Sequence, residues 1–152
     1  MSNTTSPRLV ALDLDGTLLN HQGQVTPRTR QAIAEAVARG IVVLPATGRP
    51  LSNLPPVVAQ LTGVRYAITS NGAAVWDLGT DPLRAVYSRY CNAAEHRTTE
   101  PVSLIARPMP VELAREAFAL YMEYPGAMSV FCDGRTYRDT VAMERFARRN
   151  AR

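Results

Sequence analysis

Apolar residues fall along the first half of the chain in short runs separated by helix-like stretches. Residues 8 to 14 are too continuously apolar for a strand with one wet face, which predicts a central parallel strand covered on both sides. After the polar loop "NHQGQV" comes a helix start: Thr26 can cap, Pro27 suits the first helical position, and Gly40 ends the pattern. Between them Ala32, Ile33, Ala36 and Val37 share one face. "IVVLPAT" (41–47) is a second apolar run, so residues 8 to 47 read as β-loop-α-β, the unit that makes neighbouring strands parallel. "LPPVVAQLTG" predicts a short helix, and "VRYAITSNGA" a third strand ending near Ser70-Asn71-Gly72.

Near residue 80 the texture changes. "AAVWDLGTDPLRAVYSRYC" alternates around a Gly-Thr-Asp-Pro turn and reads as a hairpin, while residues 92 to 107 are polar and take no assignment. "PVELAREAFALYMEY" (110–124) is an amphipathic helix with Leu113, Ala117, Leu120 and Tyr121 on one face. "AMSVFCDGRTYRD" predicts a hairpin turning at Asp133-Gly134, and residues 140 to 152 a basic helix. The expected class is α/β: a Rossmann-like parallel sheet over residues 1–80, then an α+β region over 81–152.

Composition narrows the possibilities. With 152 residues, 46% hydrophobic and 20% charged, the chain matches an ordinary soluble globular protein. No apolar run approaches the ~20 residues of a membrane span, and the polar start lacks an apolar signal region, so a cytoplasmic protein is expected. The net charge of +4 rests on arginine alone, since the chain has no lysine. Those arginines are scattered except in the tail "ERFARRNAR", which argues against nucleic acid as a partner. Cys91 and Cys132 match no metal-ligand spacing and read as small reduced hydrophobes, and neither His21 nor His96 has the neighbours of a base or ligand.

In open α/β sheets, ligands collect at the carboxyl ends of the strands. Here those ends are Asp13-Leu14-Asp15-Gly16-Thr17, Ala46-Thr47-Gly48-Arg49 and Ser70-Asn71-Gly72, each polar and glycine-containing. Taken singly, each is also common turn chemistry. The carboxylate pair is sharper. Residues two apart on a strand face the same side, roughly 6.5 Å apart, and two carboxylates so placed are tolerable beside a divalent cation. Oxygen ligands on a tight turn suit Mg²⁺, which also takes substrate phosphate. One aspartate could then attack phosphorus while the other moves protons.

"DLDGTLL" resembles motif I of the haloacid dehalogenase-like (HAD) superfamily, D-x-D-G-T-L-[LV]. "ATGRP" resembles its motif II, and "SNGA" the Cof-type, class IIB sugar-phosphatase branch, in which an α+β cap is inserted after this point. Thr47 lies 34 residues after Asp13, the separation of one crossover plus a strand. The resemblance implies a partial HAD core with an inserted, incomplete cap, and a Mg²⁺-dependent hydrolysis of a small phosphate monoester through an aspartyl-phosphate. It implies Asp13 as nucleophile and metal ligand, and Asp15 as general acid/base with its backbone carbonyl on the metal. Thr47 and the Gly48 amide would hold the phosphoryl group, with Arg49 and Asn71 near the substrate.

The family site also uses a lysine and an acidic pair in a Gly-Asp context. Within these 152 residues there is no lysine, and no Gly-Asp-x-x-[ND]-like run follows residue 80. Weakened catalysis is therefore expected, with a non-catalytic phosphate- or partner-binding relic, or a phosphomutase, as alternatives. An unpaired edge on the first strand would favour self-association.

Overall fold

The computed structural model describes residues 7–82, 101–124, 126–141, 143, 144 and 148. Strand β1 (Leu9–Leu12) runs parallel to β2 (Val42–Pro45), in register from Leu9 opposite Val42 to Leu12 opposite Pro45. Helix α1 (Pro27–Ala38) makes the crossover. Its ends follow local rules: the Thr26 side chain accepts a hydrogen bond from the Thr29 amide, Pro27 opens the first turn, and Gly40 at φ +79° closes the last. Ile33 is buried on its inner face with Ala36 and Val37 against the core, whereas Ala32, expected on that face, is exposed.

After the short helix α2 (Pro56–Ala59), β3 (Tyr66–Thr69) lies along the continuation of β2. Ala46 forms a parallel bridge with Ile68, and the Thr47 amide donates to the Ile68 carbonyl at 3.0 Å. The chain then reverses through Ser70–Gly72 into β4 (Ala74–Asp77), antiparallel to β3. The core sits between these elements: Leu14, Leu51, Leu54, Val58, Ala67, Trp76 and Leu78 are among its buried members.

Two expectations need amendment. β1 is not covered on both sides: Leu9 and Ala11 are exposed, Val10 and Leu12 half-buried, and among the described residues only β2 pairs with it. The polar stretch around residue 100 contains a strand, β5 (Val102–Ala106), which pairs antiparallel with β4 across a register shift at Val75/Trp76. Both edges of β4 are thereby taken, by β3 and β5, and this sheet runs across residue 80. The second arm of the Gly-Thr-Asp-Pro hairpin lies outside the described residues. Cys132 is a free thiol, as expected, and is exposed; Cys91 and His96 lie outside the described residues.

Helix α3 (Val111–Glu123) forms where its periodicity predicts, but Leu113, Ala117 and Leu120 remain exposed. Amphipathicity specifies which face wants cover without supplying the cover. The hairpin of β6 (Ser129–Cys132) and β7 (Arg135–Arg138) turns at Asp133-Gly134 as expected, with φ of 48° and 72°, the positive pair such a tight turn requires. Its Gly134 carbonyl accepts from the Ser52 amide at 2.7 Å, docking the hairpin on the 3₁₀ turn Leu51–Asn53. Thr140, Val141, Met143, Glu144 and Arg148 are helical; the rest of that basic segment is outside the described residues.

Candidate active site

Asp13 is the first residue after β1, where the chain leaves the sheet and bends through Gly16 at φ +78°. Leu14 drops into the core, fully buried, while Asp13, Asp15 and Thr17 on either side are exposed. This dissolves the electrostatic difficulty of paired carboxylates beside an apolar strand. The Leu14 side chain is buried while both acid groups lie exposed, so neither carboxylate pays the cost of full burial. The turn is tied down by the Leu18 amide on the Asp13 carbonyl (3.1 Å) and the Leu19 amide on the Leu14 carbonyl (2.8 Å).

The other two strand ends are laced together by backbone. The Asn71 amide donates to the Thr47 carbonyl at 3.2 Å, and the Ser70 amide to the Arg49 carbonyl at 2.9 Å. Ser70, Asn71 and Gly72 all have positive φ, at 53°, 57° and 90°. Glycine takes that conformation freely and asparagine tolerates it, but for serine it costs about 1 kcal/mol or more. These two hydrogen bonds hold the turn in place against that cost. Beneath it, the indole of Trp76 donates to the hydroxyl of the fully buried Thr69 at 3.0 Å.

Asp13, Ala46, Thr47, Gly48, Ile68, Asn71 and Gly72 line a cavity of about 260 Å³. Four of the six residues singled out from sequence therefore share one hollow: Asp13, Thr47, Gly48 and Asn71. Thr47 is buried, and its hydroxyl accepts a hydrogen bond from the Arg49 amide at 3.2 Å. Gly48 lies close beneath Asn71; a Cβ there would meet Asn71 Oδ1 at 2.7 Å. Ala46 and Gly72 belong to strand ends read from the sequence without a role of their own, and Ile68 precedes the last residue of β3. They line the cavity because each adjoins a strand end, which is the one signal that marks them in the sequence.

Asp15 and Arg49 are not among the lining residues. They bind each other: Arg49 Nη2 donates to Asp15 Oδ1 at 2.6 Å and Nε to Oδ2 at 3.1 Å. A third guanidinium nitrogen, Nη1, donates to the Asn53 carbonyl at 3.4 Å. Asn53 carries no signal in the sequence, since it acts through its backbone. The Thr17 hydroxyl stands 3.5 Å from Asp13 Oδ2.

The Asp13 carboxylate and the Asp15 backbone carbonyl are the hard oxygens that Mg²⁺ takes, since Mg²⁺ commonly binds through one or two carboxylates while keeping several waters. The donor set fits that ion in type. Among the described residues no three His, Cys, Asp or Glu side chains gather into a metal-holding group, and no helix is long and apolar enough to cross a membrane.

A family model for haloacid dehalogenase-like hydrolases matches residues 10–93. The chain is 39% identical over 70 residues to a 5-amino-6-(5-phospho-D-ribitylamino)uracil phosphatase of Bacillus subtilis, covering 46% of this chain and 28% of that protein. It is 32% identical over 126 residues to an HMP-PP phosphatase of Serratia proteamaculans, covering 83% and 38%. Among solved structures, a phosphatase of the haloalkanoate superfamily from Bacteroides thetaiotaomicron superposes with a TM-score of 0.67 at 20% identity, over 97% of this chain and 47% of its own. A subclass IIB sugar phosphatase of that superfamily gives 0.60 at 20% identity, over 93% and 48%. The chain thus spans less than half the length of each.

Proposed function

The chain belongs to the haloacid dehalogenase-like hydrolase family, and from that premise we propose that its site hydrolyses a small phosphate monoester through an aspartyl-phosphate on Asp13. The observation that supports this reading is the convergence of Asp13, Thr47, Gly48 and Asn71 on one small cavity. The names of the two curated relatives specify phosphatases, and a small phosphorylated metabolite is the substrate class proposed for this chain.

In this mechanism an Asp13 carboxylate oxygen attacks phosphorus, the P–O ester bond breaks, and the leaving oxygen takes a proton from Asp15. Water, giving a proton to Asp15, then attacks the phosphorus and releases inorganic phosphate and the Asp13 carboxylate. The Thr47 hydroxyl and the Gly48 amide hold the phosphoryl oxygens. Mg²⁺, held by Asp13 and Asp15, would supply positive charge to those oxygens. The region after residue 80 is proposed as part of a cap that contributes substrate choice.

The test is phosphate release from a panel of small phosphate monoesters, with and without Mg²⁺. Turnover that Asp13→Asn abolishes is the expected result; turnover that survives the substitution overturns the nucleophile. A second reading, phosphate binding without turnover, is favoured by Asp15, which is not among the cavity-lining residues and has both carboxylate oxygens on Arg49. Tight binding of beryllium fluoride with Mg²⁺ in a protein that hydrolyses none of the panel would support it.

A further inference from the structure

Arg49 touches every segment that builds the site yet lines no part of the cavity. Its guanidinium binds both oxygens of Asp15, its third nitrogen reaches the Asn53 carbonyl, its amide donates to the Thr47 hydroxyl, and its carbonyl accepts from the Ser70 amide. A bidentate fork fixes both the position and the rotation of a carboxylate, which a single hydrogen bond does not. The Asn53 contact anchors the guanidinium in turn, on a 3₁₀ turn whose Leu51 and Ser52 are buried. The pair is also exposed, with side chains 38% and 63% accessible, so its contribution to stability is small, about 0–1 kcal/mol. A geometry this specific with so little structural return points to a role in the site.

We propose that Arg49 is the positioning residue of Asp15: it aims the Asp15 carboxylate through its side chain while its own amide orients the Thr47 hydroxyl. One residue thereby sets the proton-moving group and the phosphoryl clamp in a fixed relation, although 34 positions separate Asp15 from Arg49. The inference rests on the phosphatase reading for the meaning of the two groups; the coupling itself does not.

The experiment has a spectroscopic arm and a kinetic arm. In ¹⁵N-labelled protein, the Arg49 Nε–Hε resonance is assigned by its loss in Arg49→Lys. Asp15→Asn is expected to shift it, and to shift the Arg49 backbone amide with it; both signals unchanged would overturn the coupling without touching the phosphatase reading. On any monoester the protein hydrolyses, Arg49→Gln is expected to lower kcat about tenfold or more with KM within about twofold, and Arg49→Lys to recover part of the loss. A rise in KM with kcat unchanged would overturn the positioning role in favour of direct substrate binding. If no monoester is hydrolysed, the phosphatase reading fails and the spectroscopic arm decides the coupling alone.

Discussion

The guanidinium of Arg49 and the carboxylate of Asp15 meet in a two-pronged ion pair, at 2.6 and 3.1 Å, that joins the end of the first strand to the end of the second. Its partners are half-exposed and exposed, and exposed pairs lose most of their Coulomb energy to solvent and to side-chain entropy. Asp15→Asn is therefore expected to change unfolding free energy by less than about 1 kcal/mol in urea denaturation. A loss above about 2 kcal/mol would mean that the pair is structural, and that loss of activity in this variant could not be assigned to chemistry.

How much of this was legible in the sequence depends on how far apart the interacting residues stand. The α1 boundaries could be read because Thr26, Pro27 and Gly40 act on their immediate neighbours. The strand ends could be read because apolar-to-polar transitions at Asp13, Thr47 and Ser70 are local events. The Arg49–Asp15 pair could not, because nothing in a spacing of 34 residues says which of 17 basic side chains meets which acid. Strand β5 is hard to read for a related reason: its partner β4 lies more than 20 residues earlier, and exposed on every residue it shows no buried face to read. Likewise the apolar face of α3 announces a need for cover, and the sequence of the helix holds no information on what meets it.

The buried Trp76–Thr69 hydrogen bond beneath the Ser70–Gly72 turn carries a stability prediction. Trp76 is the sole tryptophan, 5% exposed, and Thr69 is wholly buried. Thr69→Val keeps the shape but removes the acceptor hydroxyl, leaving the indole N–H with one partner fewer. The expected cost is about 1 kcal/mol, the net worth of one buried hydrogen bond. Urea unfolding followed by Trp76 fluorescence measures it directly. An unchanged midpoint would show that the indole is satisfied elsewhere.

Acid stability should be carried in part by Asp77. Hydrogen bonds from the Arg65 side chain, and then from the Gly79 amide, hold its carboxyl below the usual carboxylate value, and the same pairing raises Arg65. A carboxyl whose folded-state pKa is depressed adds stability above its unfolded-state pKa. That stability is lost as pH falls through the folded-state value. Asp77→Asn should lower stability at neutral pH and flatten the acid limb, so that the two proteins converge as pH drops below the ordinary carboxylate range. Stability measured by denaturation between neutral and strongly acidic pH checks this; a constant difference across that range would refute it.

The edge of β1 away from β2, unpaired among the described residues, carries the last prediction. Among the described residues β1 pairs only with β2, and Leu9 at its start is 52% exposed. An apolar strand with free N–H and C=O groups is a template for another chain. The protein is therefore expected to associate with itself as its concentration rises, seen as growing mass in light scattering after size exclusion. Leu9→Lys places a charge on that edge and should shift the association to higher concentration. A competing contact exists on α3, where Leu120 is 59% exposed among other apolar residues. The two are separable: association relieved by Leu120→Glu and untouched by Leu9→Lys would assign self-association to the helix face and clear the strand edge.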